Sequence, residues 1–162
     1  MTDAGPERAA TLPPRLAEVV ADFANVDRGL RAEMLIEFAD RFEPVPAEVA
    51  VPPYPDANRA PRCESEAYVF ALDQPDGTLR YRFAVVNPQG ISAKAWAVVL
   101  DDTLSGAPLE QVAAVPQDVI FSLFGRDLSM GKGQGLIGML ELVQHEARRR
   151  LDARRRTAAG LA

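Results

Sequence analysis

Two alternating runs joined by a tight turn lie in the middle of this chain, and they limit what can be built around them. Ala67, Val69 and Ala71 alternate with Tyr68, Phe70 and Leu72, and Tyr81, Phe83 and Val85 follow in a second run. Period-two alternation marks strands, because successive side chains point to opposite faces. Between the runs stands Gln-Pro-Asp-Gly-Thr (74–78). There proline presets one turn angle and glycine supplies a positive φ. The pattern predicts a β-hairpin over residues 66–87 and leaves open whether a third strand precedes or follows it. A lone hairpin is marginal in water, so the rest of the chain must cover it.

The remainder reads as helix and loop. From Pro13 or Pro14, a favoured helix start, Leu16, Val19, Val20 and Phe23 recur at helical spacing. Asp27 offers an N-cap for a second helix with Leu30, Met34, Leu35, Phe38 and Phe42 on one face. Pro44 and Pro46 end it. Six of the 13 prolines fall within residues 44–61, so residues 43–62 read as an extended, held surface loop. From Ser92 the period is helical again, with Ala93, Trp96, Ala97 and Leu100 on one side, until Ser-Gly-Ala-Pro (105–108) breaks it. Leu109 to Val115 and Pro116 to Phe124 read as short helices. A glycine-rich turn (129–135) then leads into a last helix with Leu136, Leu140, Val143, Ala147 and Leu151 as its buried stripe.

Strands in the middle, helices on both sides and no βαβ alternation predict an α+β fold. Its small antiparallel sheet, the central hairpin, packs against N-terminal and C-terminal helices. At 162 residues one domain is expected, spanning 13–153, between a flexible N-terminal tail (1–12) and a flexible basic C-terminal tail (154–162).

The net charge of −5 conceals an asymmetry. Residues 145–162 carry six arginines against Glu146 and Asp152, whereas residues 1–144 carry 12 basic and 21 acidic residues, a balance of −9. An acidic body disfavours nucleic acid, whose phosphates supply most of the affinity, and cations at a helix C-terminus complement its dipole. No run of about 18 apolar residues exists, so no membrane span is expected. The first residues lack the basic-then-apolar pattern of a signal peptide. A cytoplasmic setting is expected, and a single reduced thiol suits it.

That thiol is Cys63, placed where the proline-rich loop meets the first strand. One cysteine excludes an internal disulfide, and with His145 the only histidine a zinc site would need carboxylates almost throughout. Lone cysteines often serve as small packing residues, but Cys63 stands between charged Arg62 and Glu64. A Cys–His hydrolase needs a histidine beside the thiol, whereas His145, between Gln144 and Glu146 on the last helix, reads as a surface residue. A thiol with reach and no base is better suited to receiving sulfur, since a thiolate attacks the outer sulfur of a persulfide as in thiol–disulfide exchange. Arg59 and Arg62 favour the thiolate, and Glu64 and Glu66 oppose it. The Gly-Lys-Gly stretch is not a phosphate loop. Five residues separate Gly125 from Gly131, Gly133 follows Lys132 where Ser or Thr is needed, and no strand precedes it. It reads as a flexible helix entry or, alternatively, as a turn whose backbone N–H groups and Lys132 present a positive, anion-friendly helix N-terminus.

Four patches, in order, resemble the SufE-type sulfur acceptors of iron–sulfur cluster assembly: Arg-Ala-Glu-Met-Leu-Ile-Glu-Phe-Ala-Asp-Arg-Phe (31–42), Cys-Glu-Ser-Glu-Ala-Tyr-Val (63–69), Asn87 to Leu100 with Ile91, Lys94 and Ala95, and Leu-Ser-Met-Gly-Lys-Gly-Gln-Gly-Leu (128–136). The second is similar to the family's Gly-Cys-Gln-Ser motif. The resemblance implies that Cys63 accepts persulfide sulfur from a pyridoxal-phosphate-dependent cysteine desulfurase and hands it to an iron–sulfur scaffold complex. The pyridoxal phosphate then belongs to the partner, and this chain holds no cofactor or metal. Arg62, Glu64, Ser65, Lys132, Gln134 and Gly135 are implied to bind the partner or support the loop. Arg62 replaces the family's glycine, Glu64 its glutamine, Asn87 its aspartate and Lys132 its arginine. Arginine lacks glycine's backbone freedom, and lysine lacks arginine's planar fork. The alternatives are a non-catalytic adaptor that regulates a desulfurase and, through the arginine tail, a nucleic-acid-associated protein.

Overall fold

In the computed structural model, which describes residues 12–160, the hairpin consists of β1 (Ala67–Asp73) and β2 (Leu79–Val85). The strands pair antiparallel from Ala67 opposite Val85 to Asp73 opposite Leu79. Gly77 takes a φ of 84° at the turn. The Asp76 carboxylate accepts hydrogen bonds from the Thr78 N–H (2.9 Å) and hydroxyl (2.6 Å), which hold its pKa below the ordinary value. Among the described residues six α-helices surround the hairpin: α1 (Pro14–Phe23), α2 (Arg28–Asp40), α3 (Ile91–Leu104), α4 (Leu109–Ala113), α5 (Val119–Phe124) and α6 (Met130–Ala158). The fold is α+β, with a two-stranded sheet among the described residues. Residues 1–11 of the expected N-terminal tail lie outside the described residues.

The proline-rich segment does more than cross the surface. It wraps the hairpin. The Val45 N–H bonds the Phe83 carbonyl (2.8 Å) on the outer edge of β2. On the outer edge of β1, Asn58 Nδ2 donates to the Val69 carbonyl (2.8 Å) and the Ala60 N–H to the Ala67 carbonyl (2.8 Å). Between these anchors the Tyr54 ring packs on Tyr68 and Phe70, with centroids 5.1 and 5.8 Å apart. Val45, Tyr68, Phe70 and Ala84 thus form a second small core. Rigid prolines and satisfied strand edges explain why an irregular segment stays ordered.

The opposite face of the hairpin carries Ala67, Val69, Leu79, Tyr81 and Phe83 into the main core. Helix α3 runs through this core and is buried nearly all round, beyond the single stripe that its sequence predicts. Trp96 is fully buried, and its indole N–H donates to the Leu136 carbonyl (3.0 Å), tying α3 to α6. Asp27 caps α2 as expected, accepting from the Leu30 N–H (2.8 Å). The stripe expected on α2 is only half-buried: Met34, Leu35 and Phe38 lean on the core while Leu30 is 45% exposed.

Helix α6 departs most from its sequence reading. The glycine-rich stretch expected as a turn is its first turns, capped by Ser129, whose hydroxyl accepts from the Lys132 N–H (3.3 Å). At two of its glycines, Gly135 and Gly138, a neighbouring backbone fills the space a side chain would take. A Cβ at Gly138 would collide with the Pro61 carbonyl oxygen, and one at Gly135 would stand 3.1 Å from the Cys63 Cα. At the other end the helix continues through Ala158. Arg154, Arg155 and Arg156, placed by the sequence reading in a tail, are therefore helical. Most arginines of this cluster are occupied: Arg148 with the Ala113 carbonyl (3.1 Å), Arg149 and Arg150 with Glu146, Arg150 also with Asp73 (3.0 Å), Arg154 with the Gly77 carbonyl and Arg155 with Asp152 (3.7 Å). At about 1.5 Å per residue the helix is roughly 44 Å long. Its N-terminal half carries the Cys63 loop, and its C-terminal half holds the hairpin tip. Gln144, buried on the same helix, donates to the Val112, Ala113 and Val115 carbonyls (3.3, 3.3 and 2.7 Å) and so closes the C-terminal end of α4.

This packing makes two predictions about stability. Gly138→Ala forces the Pro61 backbone to move and lowers stability by about 1–3 kcal/mol, whereas Gly131→Ala, with open space around it, raises it by up to about 1 kcal/mol. Chemical denaturation of both variants checks the contrast. Burial raises the Tyr81 pKa well above its ordinary value, and its hydroxyl has no hydrogen-bond partner among the described residues. Above about pH 10 the unfolded chain sheds this proton while the native protein keeps it, so stability falls as pH rises. Melting curves from about pH 8 to about pH 11, spanning the ordinary tyrosine range, should show a smaller alkaline loss in Tyr81→Phe than in the parent.

Candidate functional site

Cys63 sits where the wrapping segment turns into β1. The Glu66 N–H bonds the Cys63 carbonyl (3.2 Å), closing a turn over residues 63–66. Arg62 (φ 60°) and Glu66 (φ 50°) flank that turn in left-handed conformation, which costs a non-glycine residue about 1–2 kcal/mol. Beyond β2 the ladder continues: the Val86 N–H bonds the Glu66 carbonyl (3.1 Å) and the Asn87 N–H the Ser65 carbonyl (3.1 Å). The chain after β2 is thereby laid beside the cysteine turn. Gly90 permits the close fit, since a Cβ there would stand 3.0 Å from Ser65 Cβ and Oγ.

These elements enclose a cleft of about 320 Å³. One side is Cys63, Glu64 and Ser65. The second is the stretch from Asn87 into the first turn of α3, and the third is Gly131, Lys132, Gly135 and Leu136 of α6. Cys63 is 7% exposed and belongs to the main core cluster, yet it also lines the cleft. The N-terminal turns of α3 and α6 both border the opening. First-turn N–H groups have no intrahelical acceptor, and a helix N-terminus carries partial positive charge. With Lys132 beside them, the two ends favour negative charge in the cleft, and Glu64 opposes them.

Of the residues singled out from the sequence, Cys63, Glu64, Ser65, Lys132 and Gly135 come together around this cleft. Arg62 does not join them; its guanidinium turns to Glu141 on α6 (3.1 Å). Gln134 is exposed and lies off the cleft wall. His145 is exposed ten residues beyond Gly135, about 15 Å along the helix, too far to serve the thiol. Gly90, Gly138 and Glu141 were not anticipated. The spacing of Gly135 and Gly138 puts both on one helix face, a signal that a backbone lies against it.

A larger cleft, about 840 Å³, opens among α1, the end of α2, the hairpin turn and the end of α3. Its arginines are partly neutralised, Arg41 by Asp102 (3.0 Å) and Arg82 by Asp101 (3.0 Å). It holds no cysteine or histidine, so its size does not make it the reactive site. Among the described residues no cluster of three or more His, Cys, Asp or Glu is arranged to hold a metal. No helix among them is long and apolar enough to cross a membrane.

An uncharacterized SufE-like protein of Mycobacterium tuberculosis is 28% identical over 143 residues, covering 86% of this chain and 95% of its own length. SufE-like protein 1, chloroplastic/mitochondrial, of Arabidopsis thaliana is 25% identical over 138 residues, which are 84% of this chain and 35% of that protein. The solution structure of a hypothetical protein from Thermus thermophilus superposes with a TM-score of 0.66 at 27% identity, covering 87% of this chain and 98% of that one. The sequence profile of the Fe-S metabolism associated domain, SufE, matches residues 17–147. With that match spanning the hairpin, the cysteine turn and both helices of the cleft, the chain belongs to the SufE family of iron–sulfur metabolism.

Proposed function

We propose that this protein is a sulfur acceptor that takes the outer sulfur of a persulfide onto Cys63 and passes it to an iron–sulfur scaffold. The donor is a pyridoxal-phosphate-dependent cysteine desulfurase, and both partners meet the protein in the cytoplasm. One observation above all supports the reading: the single thiol of a SufE-family chain lines a cleft bordered by two helix N-termini and Lys132.

In the forward step the Cys63 thiolate attacks the outer sulfur of the donor persulfide. The donor's S–S bond breaks, its electron pair leaves on the donor thiolate, and Cys63 becomes a persulfide. No external oxidant or reductant enters the balance. Release repeats the step, with a scaffold thiolate attacking the outer sulfur and Cys63 leaving as thiolate. The persulfide arrives already activated, so the chemistry asks for no histidine beside the thiol. A cleft of about 320 Å³ has room for one more sulfur atom, given that a water occupies only about 30 Å³ in the liquid. The low exposure of Cys63 shelters the carried sulfur from small reductants. In this reading the chain needs no cofactor of its own, because the desulfurase brings the pyridoxal phosphate.

Mass spectrometry after incubation with a cysteine desulfurase and cysteine tests the transfer. One added sulfur atom is expected on Cys63 and none on Cys63→Ser. If Cys63→Ser stimulates the desulfurase as fully as the parent does, the acceptor role fails and the adaptor reading takes its place. Lys132→Glu removes the cation at the cleft mouth and should slow the transfer roughly two- to fivefold, the worth of one exposed charge at a helix end. That difference should shrink at high salt.

A further inference from the structure

The sulfur that must meet a partner is held inside. Cys63 is 7% exposed, whereas attack on a protein-borne persulfide requires the thiol at the surface. Whatever holds the turn down therefore controls the reaction. Packing of Pro61–Cys63 against Gly135 and Gly138 is one restraint. The other is polar. Arg62 Nη2 meets Glu141 Oε2 at 3.1 Å. The second oxygen of Glu141 accepts from Gln117 Nε2 at 3.3 Å, so the carboxylate is braced by the segment between α4 and α5. Arg62 and Glu66 sit in left-handed conformation, which a non-glycine residue adopts only at a cost.

We propose that Glu141 is a positioning residue for Cys63: its ion pair with Arg62 latches the cysteine turn to α6, and opening the pair releases the thiol to a partner. The two side chains are 48% and 38% exposed, so the pair is weak and screened by salt. That suits a latch which a docking surface must undo. A partner carboxylate that captures Arg62, or a cation that captures Glu141, opens it without breaking the core. The purpose of the latch rests on the sulfur-acceptor reading, but its operation does not.

The test is the alkylation rate of Cys63 by iodoacetamide, an uncharged reagent, in the full chain and without any donor enzyme. Rates are taken on the alkaline plateau of the pH profile, so that they report access alone. Glu141→Gln should react roughly two- to fivefold faster than the parent, the factor set by the worth of an exposed pair. Raising salt from about 0.05 to about 0.5 M should accelerate the parent and leave Glu141→Gln nearly unchanged. Glu141→Arg should be faster still, and the charge-swapped Arg62→Glu/Glu141→Arg should return to the parent rate. A parent-like rate in Glu141→Gln, or a double variant as fast as Glu141→Arg, overturns the latch. Because no desulfurase is present, this result and the sulfur-adduct experiment succeed or fail separately.

Discussion

The backbone of Pro61–Cys63 occupies the space where α6 would otherwise carry side chains, and the rest of the site depends on that approach. Only glycine lets a loop come so close to a helix. At Gly138 the neighbour is a carbonyl oxygen, and at Gly135 it is the cysteine backbone itself. The cost is a helix whose first turns hold glycines, each about 1 kcal/mol poorer than alanine in a helix interior. Ser129 offsets part of it by capping the first turn. The gain is position: the only cysteine stands beside the beginning of a long helix rather than over its middle.

Helix α3 completes the arrangement. Buried nearly all round, it cannot shift without disturbing the core, and the Trp96 indole bonds it to the Leu136 carbonyl of α6. The two helix ends that border the cleft are thus fixed relative to each other. Their partial charges are preorganised, and the cysteine turn between them is packed against α6 and bonded to the chain after β2. The only thiol of the chain therefore sits within a rigid electrostatic frame.

Much of this was legible in the sequence. The hairpin, its turn, the helix starts at Pro14 and Asp27 and the helical periods after Ser92 all rest on local rules, and all recur in the structure. The placement of Cys63 at a loop–strand junction was legible too, because the prolines end and the alternation begins on either side of it. The misses are non-local. Glycine propensity argues for a turn at 129–135, but the stretch is helical, and at Gly135 and Gly138 a loop more than seventy residues upstream packs its backbone against the helix. The proline-rich segment carried no alternation, so its pairing with both hairpin edges left no mark on its pattern. Arg62 was set beside Cys63 by sequence adjacency, but its left-handed backbone turns the side chain to Glu141.

The wrapped hairpin also bears on how this protein can associate. Its outer carbonyls at Val69 and Phe83 already have donors from the same chain, so a visiting strand finds no open ladder to extend. β-Augmentation is hindered where the wrapping segment occupies these edges. Recognition can instead use side chains at the cleft, where Ile91 (51% exposed) presents apolar surface. The occupied stretches of edge also offer less of the unpaired backbone that fibril-type stacking needs.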